Sequence, residues 1–112
     1  MTLFEKIAAR KIPARIIAET DEWLAFHDVN PQAPAHALIV PKRAISRLGQ
    51  ASPDDAGLLG RMLLAANEIA AKLGISESGF RVVINNGADA GESVPHLHIH
   101  VLGGRPLQWP PG

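Results

Sequence analysis

The stretch from His96 to Leu102 constrains the fold of this 112-residue chain more than any other. Histidines and aliphatic residues alternate along it, and a Gly103-Gly104 pair ends the pattern. Because successive side chains of a β-strand point to opposite faces, the pattern predicts a strand whose three imidazoles share one face. The side chains between them, Leu97, Ile99 and Val101, would then enter a core on the other face. The imidazole face is therefore the first candidate for chemistry.

Two helices are predicted, one near the start of the chain and one in its middle. Thr2 can cap a short helix over Leu3 to Arg10, with Glu5 in the reciprocal position of a capping box. The second helix is predicted to begin at Ser52, with a proline at its first position and two aspartates in its first turn, where the helix dipole favours acids. Its aliphatic residues recur every three or four positions until Gly74, a residue typical of a C-cap. This periodicity indicates a helix that covers a sheet.

Four further segments have the β-branched, aromatic and aliphatic composition of strands. With the histidine strand they make five, which predicts an α+β fold for a chain long enough for one domain, residues 1–112. A loop of small residues, 86–93, leads directly into the histidine strand and could turn backbone N–H groups toward an anion. The predicted strands are Ala14 to Glu19, Glu22 to Phe26, His36 to Val40 and Phe80 to Asn85.

Composition excludes several classes of function. The chain has 11 basic and 11 acidic residues, so it lacks the positive charge that nonspecific nucleic-acid binding requires. It has no cysteine, which excludes disulfides and leaves histidine and carboxylate as the candidate metal ligands. No stretch approaches the roughly 18 apolar residues of a membrane span, and an acid stands where a secretion signal needs an apolar run. We therefore expect a cytoplasmic protein that binds neither a membrane nor a nucleic acid.

The histidine strand has three possible interpretations. The first is a solvated polar face, although 3 of the 5 histidines of the chain fall within this short stretch. The second is a metal site, because a His-x-His pair can present two imidazoles to one zinc ion. Against it, the only acids near the triad, Asp89 and Glu92, lie in a loop and would give such ligands little support. The third is covalent catalysis, in which His98 attacks phosphorus while His96 and His100 orient it or bind phosphate oxygens.

Beyond these patterns, the sequence resembles the Hint branch of the histidine-triad (HIT) family of nucleotide-binding proteins. The alternating histidine segment is the signature of that family, and the resemblance runs from Leu3 to Gly112. Five shorter motifs are also similar to the branch: Phe26-His27-Asp28-Val29, Pro31-Gln32-Ala33-Pro34, Val40-Pro41-Lys42, Asn85-Asn86-Gly87 and the terminal Trp109-Pro110-Pro111-Gly112.

The resemblance implies a fold and an activity. The fold would be α+β, with a five-stranded, mostly antiparallel sheet, one long helix and a short N-terminal helix. Two protomers would pair into a two-fold homodimer with a ten-stranded sheet. The protein would hydrolyse the P–N bond of adenosine 5′-phosphoramidates, and also acyl adenylates, to AMP through a nucleotidyl-histidine, with no cofactor and no metal. A nucleotide-binding regulatory module with incidental hydrolysis is an open alternative, as is a metal hydrolase.

The resemblance also implies roles for individual residues. His98 would be the nucleophile, and His100 would contact the phosphate. His96 and His36 would complete the supporting set of histidines, and Ser93 would assist the departing amine. The remaining nucleotide-binding positions would be Asp28 for the ribose, Asn85 for the phosphate, and Leu3, Phe4, Ile7, Phe26 and Val29 for the purine.

The C-terminal tail and two departures from the family pattern complete the expectations. Trp109 lies in a proline- and glycine-rich segment that cannot cover an indole by itself. The resemblance implies that this tail, residues 105–112, reaches toward the site of the partner protomer, with self-docking as the alternative. Pro95 and Glu92 stand where the family often has an aromatic residue and an amide. We expect the acid at Glu92 to favour cationic over carboxylated amine leaving groups.

Overall fold

A computed structural model describes residues 1–112 and contains one five-stranded sheet. Its strands are β1 (Ile16–Glu19), β2 (Trp23–His27), β3 (Ala35–Pro41), β4 (Phe80–Val83) and β5 (Ile99–Gly103). The spatial order is β1-β2-β3-β5-β4, and every neighbouring pair is antiparallel. The expected mostly antiparallel sheet is thus wholly antiparallel, and its last strand lies inside it.

Two α-helices, α1 (Leu3–Ala8) and α2 (Ala56–Lys72), cover opposite faces of the sheet. The predicted capping box of α1 is present. The Thr2 hydroxyl accepts the backbone N–H of Glu5 at 3.1 Å, and the Glu5 carboxylate accepts the backbone N–H of Thr2 at 3.1 Å. The helix ends two residues earlier than predicted. Neither helix has the length and apolar character that crossing a membrane requires.

The long helix begins later than predicted. Ser52 and Pro53 open a 3₁₀ turn, in which the Asp55 carboxylate accepts the backbone N–H of Ser52 at 2.8 Å. The α-helix itself starts at Ala56, so the predicted cap serves a tighter turn ahead of it. At the other end, Gly74 follows the last turn with a φ of +74°, a conformation that glycine adopts without strain. The predicted C-terminal signal is therefore confirmed.

The sheet has an apolar core on each face, and the histidines share the face of α1. Along β3, Ile39 packs against α2, whereas Leu38 and Val40 belong to the cluster that contains α1. In β5, Ile99 is buried on the α2 side and His100 opens into a cleft beside α1. Each fully buried aliphatic side chain stabilises this arrangement by about 1.5 to 3 kcal/mol. The period-two alternation therefore separates the structural face from the chemical one.

Only the last part of the histidine segment is a strand. β5 begins at Ile99, three residues after the predicted start, and β4 ends two residues before its predicted end. The backbone ahead of β5 makes its hydrogen bonds outside the sheet: His96 donates its N–H to the Val94 carbonyl at 2.8 Å, and Leu97 donates to the Ile45 carbonyl at 2.7 Å. The first two triad histidines are consequently held by a turn.

Candidate active site

A cleft of about 340 Å³ opens between α1 and the histidine segment. Nine of its 14 lining residues are hydrophobic, a balance typical of pockets that hold a flat, mostly apolar ligand group. Its polar and ionisable lining residues are Asp28, Ser93, His98 and His100. The five apolar positions expected around a purine all line it: Leu3, Phe4, Ile7, Phe26 and Val29.

The His98 ring is oriented by the backbone of the preceding turn. Its Nδ1 lies 2.7 Å from the carbonyl oxygen of His96. A carbonyl can only accept, so Nδ1 carries the proton and Nε2 presents a lone pair. The ring is 4% exposed, packs edge-on against Phe4 at a centroid distance of 4.9 Å, and lines the cleft. His98 is therefore oriented as a nucleophile, with Nε2 toward the cleft.

His100 has the opposite proton arrangement, set by a relay from the backbone. The N–H of Gln32 donates to Nδ1 of His36 at 3.0 Å, which places the His36 proton on Nε2. That Nε2–H donates to Nδ1 of His100 at 2.9 Å, so the His100 proton is on its own Nε2. The cleft thus contains a lone pair on His98 and an N–H donor on its neighbour, with ring centroids 4.9 Å apart.

Burial keeps His100 neutral. It lowers the pKa of His100 to about 4 from an ordinary 6.5, and the neighbouring rings of His98 and His36 add to this effect. The pKa of His36 is lowered too, chiefly by its burial. Neutral rings are the state in which the relay from Gln32 to His100 is intact, so the donor is available at neutral pH.

The lowered pKa of His100 predicts acid sensitivity. Between pH 6.5 and about 4 the unfolded chain binds a proton at this position that the folded chain resists, so the free energy of unfolding falls as the pH drops. We expect wild type to lose about 1 to 2 kcal/mol more than His100→Gln between pH 7.5 and pH 5, measured by urea unfolding. Equal losses in the two proteins would show that His100 is not held neutral.

One cluster has the residue types of a metal site, but the proton positions oppose it. Candidate ligand atoms of Asp28, His36 and His100 lie within 4.8 Å of one another. To bind a metal, His36 would need a free lone pair on Nε2, yet the Gln32 N–H already occupies Nδ1 and leaves the proton on Nε2. The Asp28 carboxylate lies 3.4 Å from that Nε2. Its nearness corrects the expectation that Asp89 and Glu92 are the only acids near the triad.

Four of the expected site residues do not line the cleft. His36 is 4% exposed and reaches the site only through its Nε2, 2.9 Å from Nδ1 of His100. His96 is 2% exposed and lies behind His98, where its Nε2 donates to the Pro41 carbonyl at 2.9 Å. Asn85 is half-buried and outside the lining. Trp109 is 81% exposed and covers nothing on its own protomer. Arg81 holds the carbonyl of Gln108 at 2.8 Å, so the tail is anchored up to the residue before the indole.

Five cleft residues were not assigned to the site from the sequence. The position of Leu38 could have been predicted from the alternation in β3, because Leu38 shares a face with Val40 and not with Ile39. The other four lie in segments without a periodic signal, so only the folded chain brings them to the cleft. The five residues are Ile12, Pro13, Ala14, Leu38 and Val94.

Glu92, the acid expected to favour cationic leaving groups, is paired with Arg47. Its carboxylate accepts from Nε and Nη2 of Arg47 at 2.9 and 3.0 Å and from the backbone N–H of Gly87 at 3.1 Å. The Arg47 guanidinium and the Gly87 N–H hold the pKa of Glu92 below its ordinary range. The pair ties the loop that precedes Ser93 to Arg47. It thereby restrains the backbone that carries the Ser93 hydroxyl.

The wholly antiparallel sheet and the four histidines beside an apolar cleft define a class of α+β proteins with a histidine-lined ligand site. The chain belongs to the HIT family, since residues 9–107 match the model of the HIT domain. This membership confirms the family-level expectation and the HIT-like fold of sheet, long helix and short N-terminal helix.

Three known proteins show the extent of the similarity. An uncharacterised HIT-like protein of Synechocystis sp. is 58% identical over 111 residues, which cover 99% of this chain and 96% of that protein. The crystal structure of a HIT family hydrolase from Legionella pneumophila is 45% identical, with a TM-score of 0.97 and full coverage of both chains. A histidine triad nucleotide-binding protein from Candida albicans is 33% identical, with a TM-score of 0.81 over 90% of this chain and 73% of that one.

Proposed function

We propose that this protein is a purine nucleoside phosphoramidase of the Hint branch, which hydrolyses adenosine 5′-phosphoramidates to AMP through a nucleotidyl-His98 intermediate. The 2.7 Å bond from His98 Nδ1 to the His96 carbonyl carries the proposal, because it leaves the Nε2 lone pair for the cleft. Two similar proteins are named as a hydrolase and as a nucleotide-binding protein, which supports it. Acyl adenylates share the nucleotide half of the substrate and would react at the same phosphorus.

In the first step, His98 Nε2 attacks the α-phosphorus and the P–N bond breaks. The nucleotide is now bonded to His98, and the departing nitrogen gains a proton through the Ser93 hydroxyl, which recovers one from solvent. The His100 Nε2–H donates to a phosphate oxygen as its negative charge grows. Ser93 and His100 both line the cleft with His98, as this step requires.

In the second step, water attacks the same phosphorus and the P–Nε2 bond breaks. AMP leaves with the oxygen of that water, and His98 regains its lone pair. The ring keeps its Nδ1 proton on the His96 carbonyl. It therefore carries a positive charge while Nε2 is bonded to phosphorus, and it becomes neutral again when that bond breaks and the attacking water gives up a proton to solvent. A histidine–phosphorus bond is labile enough for this release. The proposed cycle uses neither a metal nor a cofactor.

The cleft also supports the proposed placement of the nucleotide. The apolar wall of Phe4, Ile7 and Phe26 suits a purine ring, and Asp28, which lines the same cleft, would accept the ribose hydroxyls. One Asp28 oxygen already accepts the Asn30 N–H at 2.8 Å, and the other lies 3.4 Å from His36 Nε2. Val29 would close the mouth of the cleft. Asn85 would reach the phosphate only after a local shift.

A two-fold homodimer with a ten-stranded sheet is part of the proposal. On α2, Leu63 and Leu64 are 48% and 68% exposed, and Val82 lies on the edge strand β4. Pairing of these surfaces would cover them and bring the Trp109 indole against the partner. We propose that each protomer is one HIT domain, residues 1–112, with the tail 105–112 crossing to the partner. Sedimentation equilibrium that found only monomer would contradict this arrangement.

Trapping the intermediate tests the proposed chemistry directly. Brief mixing with an adenosine 5′-phosphoramidate, followed by denaturation and peptide mass spectrometry, should show an added AMP moiety on the peptide that contains His98. The same rate of turnover is expected with a chelator present. No adduct, together with activity that vanishes with the chelator and returns with zinc, would favour a metal hydrolase instead.

The Arg47–Glu92 pair predicts how the enzyme treats leaving groups. Glu92→Gln leaves the Arg47 cation unpaired and should shift the ratio of kcat/KM for lysine-type and acidic amine substrates toward the acidic amine by about threefold to tenfold. Arg47→Gln leaves Glu92 unpaired and should shift that ratio toward the cationic amine by about threefold to tenfold. The two variants together form the control. Shifts in the same direction in both variants, or no shift in Arg47→Gln, would contradict the pairing.

A further inference from the structure

The Thr2 hydroxyl joins two parts of the site that are 94 residues apart. It accepts the backbone N–H of Glu5 at 3.1 Å as the cap of α1, and it lies 3.2 Å from Nδ1 of His96. A hydroxyl has one proton in addition to its acceptor sites. Since one acceptor site serves the helix, the proton is available for the histidine.

The proton positions on His96 require that donor. Its Nε2 donates to the Pro41 carbonyl at 2.9 Å, so in the neutral ring Nδ1 presents a lone pair. The residue is 2% exposed, so its ring nitrogens depend on protein partners. Both ring nitrogens are therefore satisfied, one by a carbonyl and one by Thr2.

We propose that Thr2 is a positioning residue for the nucleophile, acting through His96; the proposal rests on the function proposed above. The carbonyl that orients His98 belongs to His96, and its peptide lies in the turn ahead of β5. With Thr2 and Pro41 holding the two sides of its ring, His96 cannot rotate, and its carbonyl stays 2.7 Å from His98 Nδ1.

The same hydroxyl links the nucleophile to the wall of the cleft. α1 begins one residue after Thr2, and its Phe4 and Ile7 line the cleft. Phe4 also packs edge-on against both His96 and His98, at centroid distances of 6.0 and 4.9 Å. The helix that contacts the ligand and the ring that would attack it therefore share one anchor.

The test compares three variants with wild type. Thr2→Val keeps the shape and removes the hydroxyl, and we expect kcat to fall about tenfold with KM within about twofold. Thr2→Ser keeps the hydroxyl and should stay within about twofold of wild type in both parameters. Glu5→Ala breaks the other half of the capping box without touching His96, so it controls for fraying of α1 and should also retain kcat. Thermal unfolding verifies that all three fold.

Histidine ring ¹⁵N NMR supplies a readout independent of turnover. In wild type and Thr2→Ser the His98 ring should show a single tautomer protonated at Nδ1, and Thr2→Val should show a mixture. If the His98 signals and kcat of Thr2→Val match wild type, or if Glu5→Ala loses as much kcat as Thr2→Val, the proposal is wrong. If wild type has no phosphoramidase activity but the His98 NMR signals still change in Thr2→Val, the proposed function is wrong and the positioning role of Thr2 is retained.

Discussion

His98→Ala is expected to lose phosphoramidase turnover by about 10⁴-fold or more while it still folds and binds AMP. No other imidazole on the cleft offers a nitrogen lone pair in its place, because the relay from Gln32 leaves His100 with an N–H toward the substrate. Removal of the nucleophile therefore removes the covalent route and leaves the apolar wall intact. Steady-state kinetics measures kcat, and isothermal titration calorimetry measures AMP affinity.

His27 provides the matched control for this variant. It is half-buried at the end of β2 and does not line the cleft. His27→Ala should keep kcat within about twofold, since it changes a histidine without touching the relay. Retention of more than about 1% of wild-type kcat in His98→Ala would refute the nucleotidyl-histidine mechanism, whatever the control shows.

The second large effect is expected at His100. His100→Ala should lower kcat by about 10² to 10³-fold and change KM by less than about threefold, as expected for a donor that matters most when charge develops on the phosphate. The residue forms one wall of the cleft, so AMP affinity tests whether the variant still binds. A rise in KM with unchanged kcat would assign His100 to ground-state binding instead.

His36 is the internal comparison for that prediction. Its Nε2–H fixes the proton of His100 from 2.9 Å, so His36→Ala leaves the donor in place with its tautomer free. We expect a loss of kcat of about tenfold, smaller than that of His100→Ala. A loss as large as that of His100→Ala would mean that His36 itself contacts the reacting phosphate.

Much of the fold could be predicted because its signals are local. The capping box of Thr2 and Glu5, the aliphatic periodicity up to Gly74 and the alternation in β5 each depend on residues within a turn or a strand of one another. The predicted boundaries were wrong where the backbone forms hydrogen bonds with residues that are distant in sequence. β5 starts at Ile99 because the preceding Leu97 N–H bonds to the Ile45 carbonyl and not to a neighbouring strand.

The sequence predicted which residues belong to the site, but it did not predict which side chains form ion pairs with each other. Histidine spacing and family resemblance indicated His98, Asp28 and Ser93, and all three line one cleft. The Arg47 partner of Glu92 is 45 residues away, and no pattern in the sequence announces it. Such pairs depend on how loops pack over the sheet, which no local propensity encodes.

By itself, the sequence determined that three imidazoles and three aliphatic side chains would divide between the two sides of one segment, because alternation is a property of extended backbone. Only the tertiary structure decided which ring nitrogens carry protons. Those positions depend on the Gln32 N–H and on the His96 and Pro41 carbonyls, fixed donors and acceptors that folding brings within hydrogen-bond distance. A histidine becomes a nucleophile or a donor according to the backbone group it meets.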